Sequence, residues 1–136
     1  MEMLSHFSLG ISDYDRALAF YTPLMERLGL RLRFAEPEKA WAGWTDAAGN
    51  RPIFFITRPF DGHAPAPGNG PMVAFNAPDR ETVDAVHALA LELGGADEGA
   101  PRLRAHYHPD YYGAYFRDLD GNKLCVACHF VPEATR

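Results

Sequence analysis

Long apolar runs are missing from this chain, and so is any clustering of basic residues. No segment has the length needed to cross a bilayer, so a membrane partner is not expected. The first residues, Met1-Glu2-Met3-Leu4-Ser5-His6, lack the basic segment and long apolar core of a secretory signal, which leaves the cytoplasm as the expected location. Lysines and arginines are scattered singly over a sequence whose formal net charge is -5, and this excludes the usual electrostatic footprint of a nucleic-acid binder. Cysteine is scarce. The two that occur, Cys125 and Cys128, have C-x-x-C spacing but sit in a segment that reads as a strand. Residues three apart on a strand face opposite ways, which opposes a disulfide or a shared metal ion. What remains is 136 residues, 47% of them hydrophobic, enough for one globular domain with a real core.

The chain contains an internal repeat. His6-Phe-Ser-Leu-Gly-Ile11 and Met72-Val-Ala-Phe-Asn-Ala77 are short apolar strands, each followed by an aspartate, Asp13 or Asp79, placed to cap a helix. The first helical pattern places Ala17, Phe20, Tyr21, Leu24 and Leu28 on one side, and the second Val83, Val86, Ala90 and Leu93. Glycines end both, at Gly29 and Gly94-Gly95, and Pro23 is expected to kink or shorten the first. Trp44-Thr-Asp-Ala-Ala-Gly-Asn-Arg51 then aligns without a gap on Phe116-Arg-Asp-Leu-Asp-Gly-Asn-Lys123, which pairs Asn50 with Asn122. Each block joins two strand-like runs through a Gly-Asn turn. The reading is an α+β fold of two pseudo-symmetric βαβββ modules, residues 4–58 and 70–131, forming an open, barrel-like concave sheet. Residues 59–69 are the expected linker, and residues 99–109 read as a second irregular stretch.

These features resemble the vicinal-oxygen-chelate superfamily of glyoxalases, bleomycin-resistance proteins and extradiol dioxygenases. The resemblance is carried by His6-Phe-Ser-Leu-Gly-Ile-Ser-Asp13, Ala19-Phe20-Tyr21, His106-Tyr-His-Pro-Asp-Tyr-Tyr-Gly113 and Asp118-Leu-Asp-Gly-Asn122. It implies a small-molecule ligand in the sheet, a homodimer, and, in the enzymes, a divalent metal held from equivalent strand positions in the two halves. His6 matches the family's first-strand ligand. Met72 and Cys125 stand where its second histidine and last-strand glutamate are expected, and the ungapped repeat makes Ile53 the partner of Cys125. Only His6 keeps a family metal ligand, and a hard ion needs oxygen or imidazole donors that isoleucine does not have. A softer ion held by imidazole, thiolate and thioether is an alternative.

Strand alternation puts His6, Met72 and Cys125 on the concave floor, with Ala127 and His129. Trp41 has the opposite parity to Trp44 and is placed at the pocket, where its ring would stack on a planar ligand. His106 and His108, with Tyr107, Tyr111, Tyr112 and Tyr115 close in sequence, supply imidazole and phenol groups from the loop and strand beyond it. His87 reads as a helix-packing residue and His63 as a solvated loop residue. The expected function is a glyoxalase/bleomycin-resistance-like domain that binds a small molecule with no cofactor. The alternative is a metal-dependent lyase, isomerase or dioxygenase with non-standard ligands.

Overall fold

The computed structural model describes residues 3–131. The chain divides into two compact units, residues 1–68 and 69–136, and each carries one helix on one four-stranded sheet. In the first unit β1 (His6–Gly10) leads into α1 (Tyr14–Arg27), followed by β2 (Arg31–Glu36), a single 3-10 turn, β3 (Trp41–Thr45) and β4 (Ile53–Thr57). In the second, β5 (Val73–Asn76) leads into α2 (Arg80–Glu92), then β6 (Ala96–Leu103), β7 (Tyr112–Arg117) and β8 (Lys123–Cys128). The sheet orders β1-β4-β3-β2 and β5-β8-β7-β6 are the same. In each, the opening strand pairs parallel with the last, and the other pairings are antiparallel. Two βαβββ modules are therefore present, and neither sheet closes into a barrel.

Local chemistry accounts for the helix ends. Asp13 accepts from Arg16 N at 3.0 Å and Asp79 from Thr82 N at 2.7 Å, which satisfies donors the first turn leaves open. Gly29 and Gly94 then take positive φ, at 75° and 102°. Contrary to the sequence reading, α1 runs through Pro23 without ending. Phe20, Tyr21, Leu24 and Met25 are buried on both sides of the proline, and this packing outweighs the one backbone bond it removes.

Tyr21 meets Trp44 and Phe54, with ring centroids 6.4 and 5.5 Å apart, so the helix side of the first sheet is an aromatic core. In the second unit Val83, Val86 and Ala90 of α2 are buried with Phe116, Leu124 and Val126. Cys125 and Cys128 are free, buried thiols on β8.

Two sequence expectations need correction. β6 continues to Leu103, so half of the stretch read as irregular is an edge strand. Its register shifts between Asp97 and Gly99 and again between Gly99 and Arg102 disguise the alternation, and Pro101 is tolerated because the strand is at an edge. The ungapped repeat also fails after the turn. Trp44 stands opposite Phe54 and Phe116 opposite Leu124, so nine residues intervene in the first hairpin and seven in the second. Asn122 is buried, where its side chain donates to Asp118 Oδ2 at 2.9 Å. Asn50 is exposed and instead accepts from Arg33.

His87 packs as expected, buried on α2, with Nε2 2.9 Å from Asp97 Oδ1 on β6. The bond to His87, with a further one from Gly99 N, holds the Asp97 carboxyl below its ordinary value. A carboxylate whose pKa is lowered by folding stabilises the fold above its unfolded pKa and loses that contribution as pH falls through the folded value. Asp97→Asn should therefore be less stable than wild type near neutrality. The gap should narrow as pH falls through the ordinary carboxylate range and below it, measured by urea denaturation at each pH. A gap that stays constant would show that the bond, not the charge, is what matters.

Candidate functional site

Each sheet has one face packed on its helix and one open face, and the parity of each strand decides which side chains reach the latter. On the first sheet the open face carries His6, Phe34, Trp41 and Phe55, which line a cavity of about 450 Å³ together with Arg33, Glu36, Arg51 and Ile53. The three larger rings form a cluster: Phe34 to Trp41 is 5.5 Å and Trp41 to Phe55 6.2 Å, both edge to face. Trp41 Nε1 donates to Glu36 Oε1 at 2.8 Å, which fixes the indole. Gly43 makes the cluster possible, since a Cβ there would lie 2.6 Å from the Phe34 ring.

The second sheet holds a larger cavity, about 700 Å³, lined by Met72, Tyr107, His108, Tyr111, Tyr115 and His129 with the charged groups Glu98, Arg104, Arg117 and Lys123. The loop from Arg104 to Tyr111 forms one wall. Backbone bonds close it: Arg104 N donates to Tyr111 O at 2.7 Å and Tyr111 N to His108 O at 3.1 Å. The Tyr111 ring then lies across the backbone of Gly113, where a Cβ would come within 2.7 Å of it. From there its hydroxyl lies 2.9 Å from that of Tyr115 and 3.4 Å from Cys125 Sγ. Burial pushes all three of these groups above their ordinary pKa, so the chain of two phenols and a thiol stays protonated at neutral pH.

The two histidines are ordered by their bonds. Asp110 N donates to His108 Nδ1 at 3.2 Å, and a backbone N–H can only donate, so the His108 proton is on Nε2. That nitrogen lies 3.0 Å from His129 Nδ1, which must accept, and the rings stack with centroids 5.2 Å apart. His129 therefore carries its own proton on Nε2.

Among the residues singled out from sequence, the structure brings His6 and Trp41 to the first cavity and Met72, His108 and Tyr115 to the second. Cys125 lies beneath the second, fully buried, with Tyr111 Oη 3.4 Å from its Sγ and Tyr115 opposite it on β7. Tyr112 is not a cavity residue. It has the parity of Ala114 and Phe116, on the helix side, where its hydroxyl donates to Asp84 Oδ1 at 2.6 Å. Burial and this carboxylate push the phenol up to about 12. His106 lies tilted against Tyr107, 4.2 Å between ring centroids, outside the lining. Tyr111, one of the tyrosines grouped with the two histidines from sequence, also lines the second cavity, whereas sequence reasoning missed Arg104 and Lys123. Lys123 has the parity of Cys125 and was within reach of that argument, whereas nothing in the sequence marks Arg104 as buried.

Comparison with known proteins adds the family. The model for the Glyoxalase/Bleomycin resistance protein/Dioxygenase superfamily matches residues 3–126. The chain belongs to that superfamily. A glyoxalase/bleomycin resistance protein from Albidiferax ferrireducens T118 is 34% identical and superposes with a TM-score of 0.83, covering 93% of this chain and 99% of that one. A glyoxalase-related enzyme from Fulvimarina pelagi is 19% identical, with a TM-score of 0.69 over 94% of this chain and 88% of the other, and shows the shared fold. So does TnmS3, an antibiotic binding protein from Streptomyces sp. CB03234, at 22% identity and a TM-score of 0.64, covering 96% and 98%. No curated protein matches the chain.

Enzymes of the superfamily commonly use a divalent metal, and the donor set here does not fit one. Phe7 stands opposite Phe54 and Val73 opposite Leu124, which makes His6 the counterpart of Met72 and Phe55, not Ile53, the counterpart of Cys125. The first unit thus offers one imidazole beside a phenyl ring, 6.0 Å between centroids. The second offers a thioether and one buried thiol, with neither imidazole nor carboxylate beside them at the family positions. Among the described residues no three His, Cys, Asp or Glu side chains are grouped to hold a metal ion. Nor is any helix among them long and apolar enough to cross a membrane.

Proposed function

We propose that this superfamily member is a small-molecule-binding protein whose ligand occupies the cavity of the second unit. The observation that carries the reading is the wall of that cavity, where Tyr111, Tyr115, His108 and His129 are fixed in place by one another before any ligand arrives. Groups held in this way lose little freedom on binding, and rings with polar tips suit a planar ligand that carries polar substituents. The antibiotic-binding role of one fold neighbour supports a binding function in this architecture. The aromatic cavity of the first unit, with Trp41 and His6, is a second place for planar groups.

The same proposal makes the chain a cytoplasmic homodimer. The edge strands β2 and β6 carry Leu32 and Leu103, which stand half exposed. Light scattering should return twice the mass of the chain, and a monomer would remove this part.

A panel of planar aromatic compounds, 2-naphthol, 2-naphthamide and 2-naphthoate among them, tests the binding reading by thermal shift. At least one should raise the melting temperature saturably. His108→Ala combined with Tyr115→Ala should abolish that shift, while His106→Ala should leave it intact and move the unliganded melting temperature by no more than a few degrees, as surface changes of about 0.5 kcal/mol do. A panel without effect, or a shift that survives loss of His108 and Tyr115, refutes the reading.

A further inference from the structure

The charges around the second cavity do not balance. Arg104, Arg117 and Lys123 line it, and Glu98 is the one carboxylate among its lining residues, in a chain whose net charge is -5. Glu98 is already engaged, because Arg117 Nε donates to it while Arg117 Nη1 donates to Gly121 O at 2.9 Å. Arg104 is 8% exposed, yet its partners are carbonyls, Gly113 O at 3.1 Å from Nε and Ala100 O at 2.8 Å from Nη2. Among the described residues neither Nη1 of Arg104 nor Nζ of Lys123 has a hydrogen-bond acceptor.

Both cations gather at the ring of Tyr115, Arg104 Cζ at 4.9 Å and Lys123 Nζ at 5.4 Å from its centroid. A ring face offsets part of a cation's charge but does not replace a counter-ion for a guanidinium taken out of water. Glu98, the one carboxylate of the lining, is taken by Arg117, and the Tyr111, Tyr115 and Cys125 chain is held protonated by burial. Its hydroxyls are donors in waiting, and so is His129 Nε2.

Resting on the binding reading above, we propose that this cavity is an anion site for a planar aromatic carboxylate, the carboxylate meeting Lys123 and Arg104 beside Tyr115 and the ring lying among Tyr111, His108 and His129. The ligand supplies the counter-charge that the fold leaves out. Glu98 then sets an upper bound on affinity, since it repels the incoming carboxylate and occupies Arg117.

Calorimetric titration of the full chain with 2-naphthoate and with its neutral isostere 2-naphthamide separates the possibilities. The acid should bind at least about tenfold more tightly than the amide, as expected when a charge-assisted hydrogen bond is gained. Lys123→Met should weaken the acid by about tenfold and leave the amide within about twofold. It should also leave the melting temperature of the free protein unchanged or raised, because it removes one of two adjacent unpaired cations. Glu98→Gln should strengthen the acid and leave the amide unaffected. If acid and amide bind equally, the anion site falls while the binding reading stands. If Lys123→Met leaves the acid unchanged, the carboxylate lies elsewhere and the proposal is overturned. If only neutral compounds of the panel bind, the anion site falls and the binding reading stands, and if none of the panel binds, both readings fall together.

Discussion

Phe116→Ala is expected to lower the free energy of unfolding by about 3–5 kcal/mol, read as a large drop in the urea midpoint at unchanged slope. Phe116 is among the largest fully enclosed side chains, at 2% exposure, on the helix side of β7. It stands opposite Leu124, and α2 packs across its strand through Val83, Val86 and Ala90. Deleting the ring leaves a void that a sheet pinned on both sides cannot close, so the loss includes the cavity as well as the transfer term. The increment is a large share of the stability of a chain this size, and melting should fall by at least about 6 °C at about 2–8 °C per kcal/mol. A midpoint within about 1 kcal/mol of wild type would mean that the α2 layer can collapse onto β7.

The second large effect belongs to Gly113. An alanine Cβ at this position would sit 2.7 Å from the Tyr111 ring, which its hydrogen bonds to Tyr115 and Cys125 hold in place. Either the ring swings away and the hydroxyl chain breaks, or the strand shifts under it. Gly113→Ala should therefore cost about 1–3 kcal/mol and abolish the ligand-induced thermal shift. Because the collision is with one side chain, Gly113→Ala placed on Tyr111→Ala should cost much less than it does alone. Equal costs in the two backgrounds, measured as a double-mutant cycle, would assign the penalty to the strand backbone instead.

How much of this was legible beforehand depended on the kind of signal. The two modules could be read because capping aspartates, terminal glycines and period-3.6 apolar positions mark helices independently of tertiary context, as at Asp13 and Gly29 or Asp79 and Gly94. Strand parity put His6, Met72 and Cys125 on one concave floor, whereas the structure has His6 and Trp41 at one cavity and Met72 and Tyr115 at another. Applied consistently, it would have sent Tyr112 to the helix side, since Tyr112 and Tyr115 are three apart on one strand. The edge strand β6 was hidden by its two register shifts, which break the alternation that identifies a strand. Arg104 could not be found at all from sequence. Its burial depends on a non-local meeting with Gly113 O and the Tyr115 ring, and no local pattern encodes that.

The unequal hairpins show what kind of length change this architecture absorbs. The first loop exceeds the second by two residues, yet Phe54 and Leu124 both face a helix and Phe55 and Cys125 both face away. Two residues amount to one full pleat, so the strand after the loop enters its sheet with the same side up. A difference of one residue would have turned the whole of β4 over, sending Phe54 and Ile56 to solvent and Phe55 into the helix layer. Insertions and deletions at this corner are therefore quantised, with even steps neutral to the face and odd steps inverting it.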